Sequence, residues 1–354
     1  MSTTFSSLPI IDLAPLKRPS GPTHTQLEDL SRQLYDVFAT TGFAYLVNAP
    51  LSFRHADIFG LAREFFNLPE EEKMKLAKKS FRKENSNTYR GYFPTQPKGA
   101  SDNLKEGFEM GPARSIHPPS KMTGSSKFNF SEPNVWPPED IFPSRNRLEK
   151  LHEELQELSS TILSLLATAL GKPSDFFAPF LHNSISTLRL LHYPPRVLNE
   201  QHTSGQGNST SMPTTGNEET VQLSCSPHTD SGILTLLHQD PTGGLEVKDS
   251  SDKWVPAPYI PESIVVNIGD LMAQVSGGRF VATMHRVRAP PMKTTITDGD
   301  ETTSTKFGRF SVPFFFEPGE DCVVRSVDDE SNSVVYGEHV RAKMKTWVEY
   351  NEQS

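Results

Sequence analysis

The sequence predicts an α+β fold in which helices precede a β-rich C-terminal half, and three observations carry that expectation. Apolar residues recur at helical spacing from Leu27 to Phe38 and from Leu148 to Ala169, as in helices that bury one face. From Ser184 onward the chain changes to short β-branched and aromatic runs bounded by Pro, Gly and polar segments, which read as strands. Among those runs stand His228 and Asp230, in Cys225-Ser226-Pro227-His228-Thr229-Asp230, and His285, in Thr283-Met284-His285-Arg286-Val287. Two imidazoles and a carboxylate in this order are a candidate metal set.

The elements follow in chain order. Leu27, Leu30, Leu34, Val37 and Phe38 define a helix that ends before Gly42. A second helix is predicted over Ser52–Asn67, and Pro69 followed by three glutamates marks the start of a third. Residues 80–135 are rich in Pro, Gly, Ser and Lys and are read as loops with short strands, including Glu106–Met110. Leu148, Leu151, Leu155, Leu158, Ile162, Leu165, Leu166 and Ala169 form the stripe of a long helix stopped at Gly171-Lys172-Pro173. Strands then read at Leu188–Tyr193, stopped by Pro194-Pro195, at Ile264–Met272, broken by Gly269-Asp270, and at Lys306–Phe316. The stretch Val335–Tyr350 is helical, with Val340, Met344 and Trp347 on one side.

The chemistry sits on these strands. Residues two apart on a strand point to the same side, so His228 and Asp230 can grip one metal ion while His285 arrives from another strand. A set of two His and one carboxylate holds non-haem Fe(II) and leaves coordination positions open. Arg309 and Ser311 share a face two residues apart; a guanidinium captures a carboxylate through two parallel hydrogen bonds, and a hydroxyl adds another. By the same alternation Arg189 faces with Leu191 and Tyr193, and Phe315 with Ser311, which makes Arg189 and Phe315 candidate substrate contacts. His182, His192 and His238 are read as structural or surface residues, and Cys225 as a small buried hydrophobe.

In this order the motifs resemble the 2-oxoglutarate/Fe(II)-dependent dioxygenases, in the isopenicillin N synthase-like branch. Leu8-Pro9-Ile10-Ile11-Asp12-Leu13 and Thr41-Gly42-Phe43-Ala44-Tyr45-Leu46-Val47-Asn48 resemble that branch's first two strands, and Pro69-Glu70-Glu71-Glu72-Lys73 and Tyr89-Arg90-Gly91-Tyr92 follow in its order. The resemblance implies a double-stranded β-helix (jelly-roll) core flanked by helices, with an N-terminal α/β cap. It implies a non-haem dioxygenase N-terminal region over 8–115, a helical connector over 116–183, the catalytic core over 184–320 and a C-terminal helix over 321–354. It assigns His228, Asp230 and His285 to iron, and Arg309, Ser311 and Tyr193 to the distal carboxylate of 2-oxoglutarate. It also implies O2 as co-substrate, ascorbate as supporting reductant, and oxidation of a small organic substrate coupled to release of succinate and CO2. No side chain beyond the metal ligands need act as general base.

Two departures stand out: Leu191 replaces an Asn common in plant members, and 24 residues separate His285 from Arg309, a longer gap than usual. The Leu188–Pro194 run and the Phe-rich tail after Arg309 are similar to the fungal thymine 7-hydroxylases, although those place an aromatic residue after the ligand Asp where this chain has Ser231. Secondary metabolites and nucleobase-like compounds are therefore the substrate classes in view. An Fe(II) oxidase that does without 2-oxoglutarate is the alternative.

Composition narrows the remaining classes. A formal net charge of −8 argues against nucleic-acid binding. Two cysteines in 354 residues favour a reducing compartment, neither a secretory signal nor a membrane span is legible, and a monomeric cytoplasmic enzyme is expected. Residues 199–220 and 293–306 hold only Met212 and Ile296 as large apolar side chains. They are expected to be mobile loops flanking the site.

Overall fold

A computed structural model of the chain describes residues 3–95, 105–113, 128–195, 223–289, 308–329, 331 and 333–344. The low-complexity stretches 199–220 and 293–306 lie outside the described residues. So does the part of the predicted terminal helix beyond Met344, including Trp347.

Helices form where apolar spacing and end signals place them. Thr23 caps α1 (His24–Thr40) by accepting from the Gln26 amide while the Gln26 side chain accepts from the Thr23 amide. The chain then turns at Gly42, where a β-carbon would lie 2.3 Å from the Val281 carbonyl oxygen. α2 (His55–Phe66) and α3 (Glu70–Lys75) follow, the latter opened by Pro69 with three glutamates in its first turn. α4 (Arg145–Ala169) buries the leucine stripe read from the sequence.

Fourteen strands among the described residues are β1 (Ile10–Asp12), β2 (Phe43–Val47), β3 (Gly91–Phe93), β4 (Glu106–Met110), β5 (Thr187–Tyr193), β6 (Leu223–His228), β7 (Leu234–Gln239), β8 (Leu245–Lys248), β9 (Trp254–Pro256), β10 (Ile264–Ile268), β11 (His285–Arg288), β12 (Arg309–Phe316), β13 (Val323–Arg325) and β14 (Ser333–Val335). Two short helices complete the set, α5 (Asp270–Val275) at the Gly269-Asp270 break and α6 (Tyr336–Met344). Eight strands form a large sheet in the order β1-β2-β10-β7-β12-β5-β4-β3, and four form a smaller one, β6-β11-β8-β9. Phe43, Tyr45 and Val265 of the large sheet pack with Leu245, Val247 and Val287 of the smaller one, so the two sheets close face to face as the jelly-roll expectation requires. The N-terminal strands β1 to β4 extend the same large sheet.

The large sheet has two different faces. Leu188, Leu190, Phe310, Val312, Phe314 and Phe316 join the helices in one apolar cluster. The alternate residues, Tyr193, Leu191, Arg309 and Ser311, face the smaller sheet and carry the polar groups. On the helical side, His152 of α4 is 3 % exposed, packs edge-on against Phe314 at 5.1 Å and approaches the Ser186 carbonyl at 3.0 Å.

Burial pulls the His152 pKa down to about 4, so the folded chain keeps this ring neutral while the unfolded chain protonates it below its ordinary pKa. A depressed histidine pKa means that this stability contribution is full above about pH 6.5 and is lost as pH falls toward 4. The urea-measured stability difference between wild type and His152→Gln should therefore move in the variant's favour by about 1.4 kcal/mol between pH 7.5 and 5.5. A difference that does not change with pH would refute the assignment.

Candidate metal and cosubstrate site

The antiparallel register of β6 and β11 makes His285 and His228 cross-strand partners. Such partners project to the same face, and the two rings lie 4.3 Å apart. The first strand ends at His228, so Asp230 lies in the turn before β7 rather than on an extended strand. The turn still carries the carboxylate back: Asp230 Oδ1 lies 3.8 Å from His228 Nε2 and 3.7 Å from His285 Nε2. One ligand atom from each residue falls within 4.8 Å of the other two. Nothing further is needed to close on one ion from three sides, so the donor set fits iron(II).

Each ligand is aimed by its other polar atom. His228 Nδ1 is 2.8 Å from the Ser226 carbonyl and His285 Nδ1 is 3.2 Å from the Thr283 carbonyl. A carbonyl only accepts, so both Nδ1 atoms carry the proton and both Nε2 lone pairs face the site. Asp230 Oδ2 accepts from Thr235 Oγ1 at 2.6 Å and from Asn267 Nδ2 at 2.8 Å, leaving Oδ1 toward the imidazoles. Burial alone would raise the Asp230 pKa, but the facing imidazoles and these two hydrogen bonds outweigh it and hold it at about 2. Burial lowers His285 to about 4. At His228 burial is outweighed by the Cys225 sulfur and the Asp230 carboxylate, which raise it to about 9; a carboxylate anion and neutral imidazoles are the ligating forms, so an incoming cation would displace a proton there. Cys225 sulfur lies beside His228 Nδ1, at 3.8 Å, on the non-ligating edge of the ring.

Arg309 is 1 % exposed. Its Nε donates to the Gly243 carbonyl at 2.6 Å, its Nη1 to Ser311 Oγ at 3.1 Å, and its guanidinium covers the Tyr193 ring at 4.8 Å. Among the described residues no carboxylate pairs with it. Tyr193 is its cross-strand partner in the β12–β5 ladder, so the three residues expected at the cosubstrate carboxylate meet at one end of that ladder.

Arg189 and Phe315 also lie on this face, with the Arg189 guanidinium 5.0 Å above the Phe315 ring and 5.9 Å from Phe93. Gly107 makes room for Phe93, since a β-carbon there would lie 2.3 Å from its ring. Glu109 stands opposite Arg189 in the β4–β5 ladder and pairs with both Arg189 and Lys78. His192 faces the other way, stacked on Phe310 at 4.6 Å and bonded to Glu106 at 2.7 Å, and His238 is buried beside His55. Among the described residues the triad is the only cluster of metal-ligating groups. Sequence reasoning missed Thr235, Asn267, Glu109 and Lys78. Asn267 had a signal, a lone amide inside an apolar strand; the Glu109 pairing depends on strand register and had none.

Residues 185–318 match the model of the 2OG-Fe(II) oxygenase superfamily, and residues 8–139 that of the non-haem dioxygenase in morphine synthesis N-terminal region. A 2-oxoglutarate-dependent dioxygenase of Didymella fabae is 34% identical over 340 residues, which cover 92% of this chain and 90% of the relative. Another from Monascus ruber is 30% identical over 356 residues, covering 96% and 95%. In fold, the chain is similar to the full-length thymine 7-hydroxylase of Neurospora crassa in complex with alpha-KG and thymine, with a TM-score of 0.72 and 24% identity over 96% of this chain and 97% of that one.

Asp230→Asn removes the one anionic ligand and should abolish Fe(II) retention and turnover together, as should His228→Ala and His285→Ala. Asn267→Leu should instead weaken Fe(II) binding by about 10- to 100-fold, because it frees the oxygen that orients Asp230. Equilibrium dialysis against iron checks both. Iron retention by Asp230→Asn at wild-type levels would remove the triad from consideration.

Proposed function

The chain belongs to the 2OG-Fe(II) oxygenase superfamily and is a 2-oxoglutarate-dependent dioxygenase acting on a small molecule; from that premise we propose that its substrate is a planar compound bearing a carbonyl or carboxylate, held beside the stacked Arg189 and Phe315 side chains. The observation that carries this reading is the shared face of the β5–β12 ladder, which sets Arg189 and Phe315 on the side that bears Arg309 and Ser311. Glu109 is shared between Arg189 and Lys78, so it offsets the Arg189 charge only in part and helps to fix the direction of the guanidinium. Such a group can meet a carbonyl or a carboxylate oxygen. Phe315 supplies a flat apolar wall. Nucleobase-like compounds and aromatic secondary metabolites both have this chemistry.

The roles of the other residues follow. His228, Asp230 and His285 would hold iron, which when bound supplies oxygen activation coupled to oxidative decarboxylation of 2-oxoglutarate. Arg309 and Ser311 would hold the distal carboxylate of 2-oxoglutarate, with the Tyr193 hydroxyl as a further donor. Closure of the two sheets excludes water around these groups. We also propose a monomeric, cytoplasmic enzyme of secondary metabolism, assayed with ascorbate; the fungal relatives and sparse cysteine usage support that setting. Among the described residues no helix is long and apolar enough to cross a membrane.

Succinate release with Fe(II), ascorbate and a panel of planar carbonyl compounds, read by mass spectrometry for a gain of one oxygen, tests the reading. Arg309→Lys should raise the apparent KM for 2-oxoglutarate more than it lowers kcat, since Lys keeps the charge and loses the fork. Unchanged saturation by 2-oxoglutarate would favour the oxidase alternative. Arg189→Ala should leave iron binding and substrate-free decarboxylation intact and reduce substrate-stimulated turnover by about 10- to 200-fold, the effect of one charge-assisted hydrogen bond. A wild-type substrate-saturation curve would place Arg189 outside the pocket.

A further inference from the structure

The turn that carries Asp230 is gripped from two sides. From one side the start of α5 supports it: the Asp270 amide donates to the Asp230 carbonyl at 2.8 Å and the Leu271 amide to the Ser231 carbonyl at 3.3 Å. The two segments approach so closely that a β-carbon on Gly269 would lie 2.2 Å from the Gly232 carbonyl oxygen. From the other side comes α6, near the end of the described chain. Lys343 Nζ donates to Thr229 Oγ1 at 2.9 Å and pairs with the Asp270 carboxylate. His339 Nε2 lies 3.1 Å from the Ser231 carbonyl and so donates to it. Thr229 and Ser231 are the two residues that flank Asp230.

We propose that α6 is a metal-retaining clamp in which Lys343 and His339 are positioning residues: they fix Thr229 and Ser231, and so hold Asp230 Oδ1 toward the two imidazoles. The proposal rests on the reading of His228, Asp230 and His285 as the iron ligands. Docking of α6 and occupancy of the site are then linked, and each strengthens the other by the same factor. The helix has separate anchors that do not involve the turn. Val340 and Met344 are buried, and Arg341 pairs with Glu320. Loss of a polar contact to the turn therefore leaves the helix docked on its apolar side.

Charge and positioning predict opposite signs for Lys343. Removing a cation from beside a dication site would, by charge alone, tighten metal binding. Removing a positioning residue loosens it.

The experiment uses the full chain stripped of metal and titrated with Mn(II), with free Mn(II) read by electron paramagnetic resonance. Lys343→Met and Thr229→Val should each raise the Mn(II) dissociation constant by about 10-fold, at the lower end of the effect of losing a group that orients a ligand. Lys343→Arg should recover part of the loss, because it can still bridge Thr229 and Asp270. Metal-free melting temperatures close to wild type would confirm that the variants fold; Thr229→Val tests the same contact from the turn if Lys343→Met does not. In wild type, Mn(II) should slow hydrogen exchange at the α6 amides. Unchanged or tighter Mn(II) binding in folded Lys343→Met or Thr229→Val, or α6 exchange that ignores Mn(II), would overturn the proposal. Failure of wild type to bind Mn(II) more tightly than His228→Ala would instead overturn the reading of the triad.

Discussion

The site depends on a strand having two faces. β12 sends Phe310, Val312, Phe314 and Phe316 into the helical cluster, and the residues between them, Arg309, Ser311, Pro313 and Phe315, toward the smaller sheet. Slipping β12 by one residue against β5 and β7 would exchange the two sets. It would press a guanidinium into the apolar layer and turn four large side chains inward. Burial of the helix-facing set therefore fixes the register, and the register alone places Arg309 over Tyr193 and Phe315 beside Arg189. The same logic acts in the smaller sheet, where pairing of Val287 with Cys225 and of His285 with His228 gathers ligands far apart in the chain.

This dependence explains how much could be read from the sequence. Alternation along one strand is visible without coordinates, so the Arg309–Ser311 pair, the facing of Arg189 with Tyr193 and the clustering of His228, Asp230 and His285 were all legible. The helix stripes were legible for the same reason: their periodicity is local. Pairing between distant strands was not. Nothing in Glu109 announces that β4 will lie beside β5 in the register that sets it against Arg189, and nothing in Lys78 announces a buried ion pair. The placement of Asp230 shows the limit of alternation itself. The strand stops at His228, and the carboxylate reaches the site because Thr235 and Asn267 hold it there, two residues from different strands.

Pairing changes what a charged residue offers a ligand. Read alone, Arg189 suggests an anion receptor. Beside Glu109, it shares one carboxylate with Lys78, so its donors are given a direction and its charge is offset only in part. Arg309 is the contrast: its nearest partners are a carbonyl, a hydroxyl and an aromatic ring, so its charge remains available to an incoming carboxylate. Two guanidiniums on one sheet face thus differ by their neighbours: a shared carboxylate partly offsets Arg189, whereas Arg309 faces no carboxylate among the described residues.

The β3–β4 hairpin ends the large sheet, hydrogen-bonded to β5 along one side only, yet it brings Phe93, Gly107 and Glu109 to the face beside Arg189. His228, Asp230 and His285, by contrast, sit on β6, β11 and a turn braced from both sides. A replacement in the hairpin changes the surroundings of Arg189 without touching β6, β11 or the turn that carries Asp230. What surrounds Arg189 can thus be rebuilt from the margin of the sheet inward while the geometry of His228, Asp230 and His285 stays fixed.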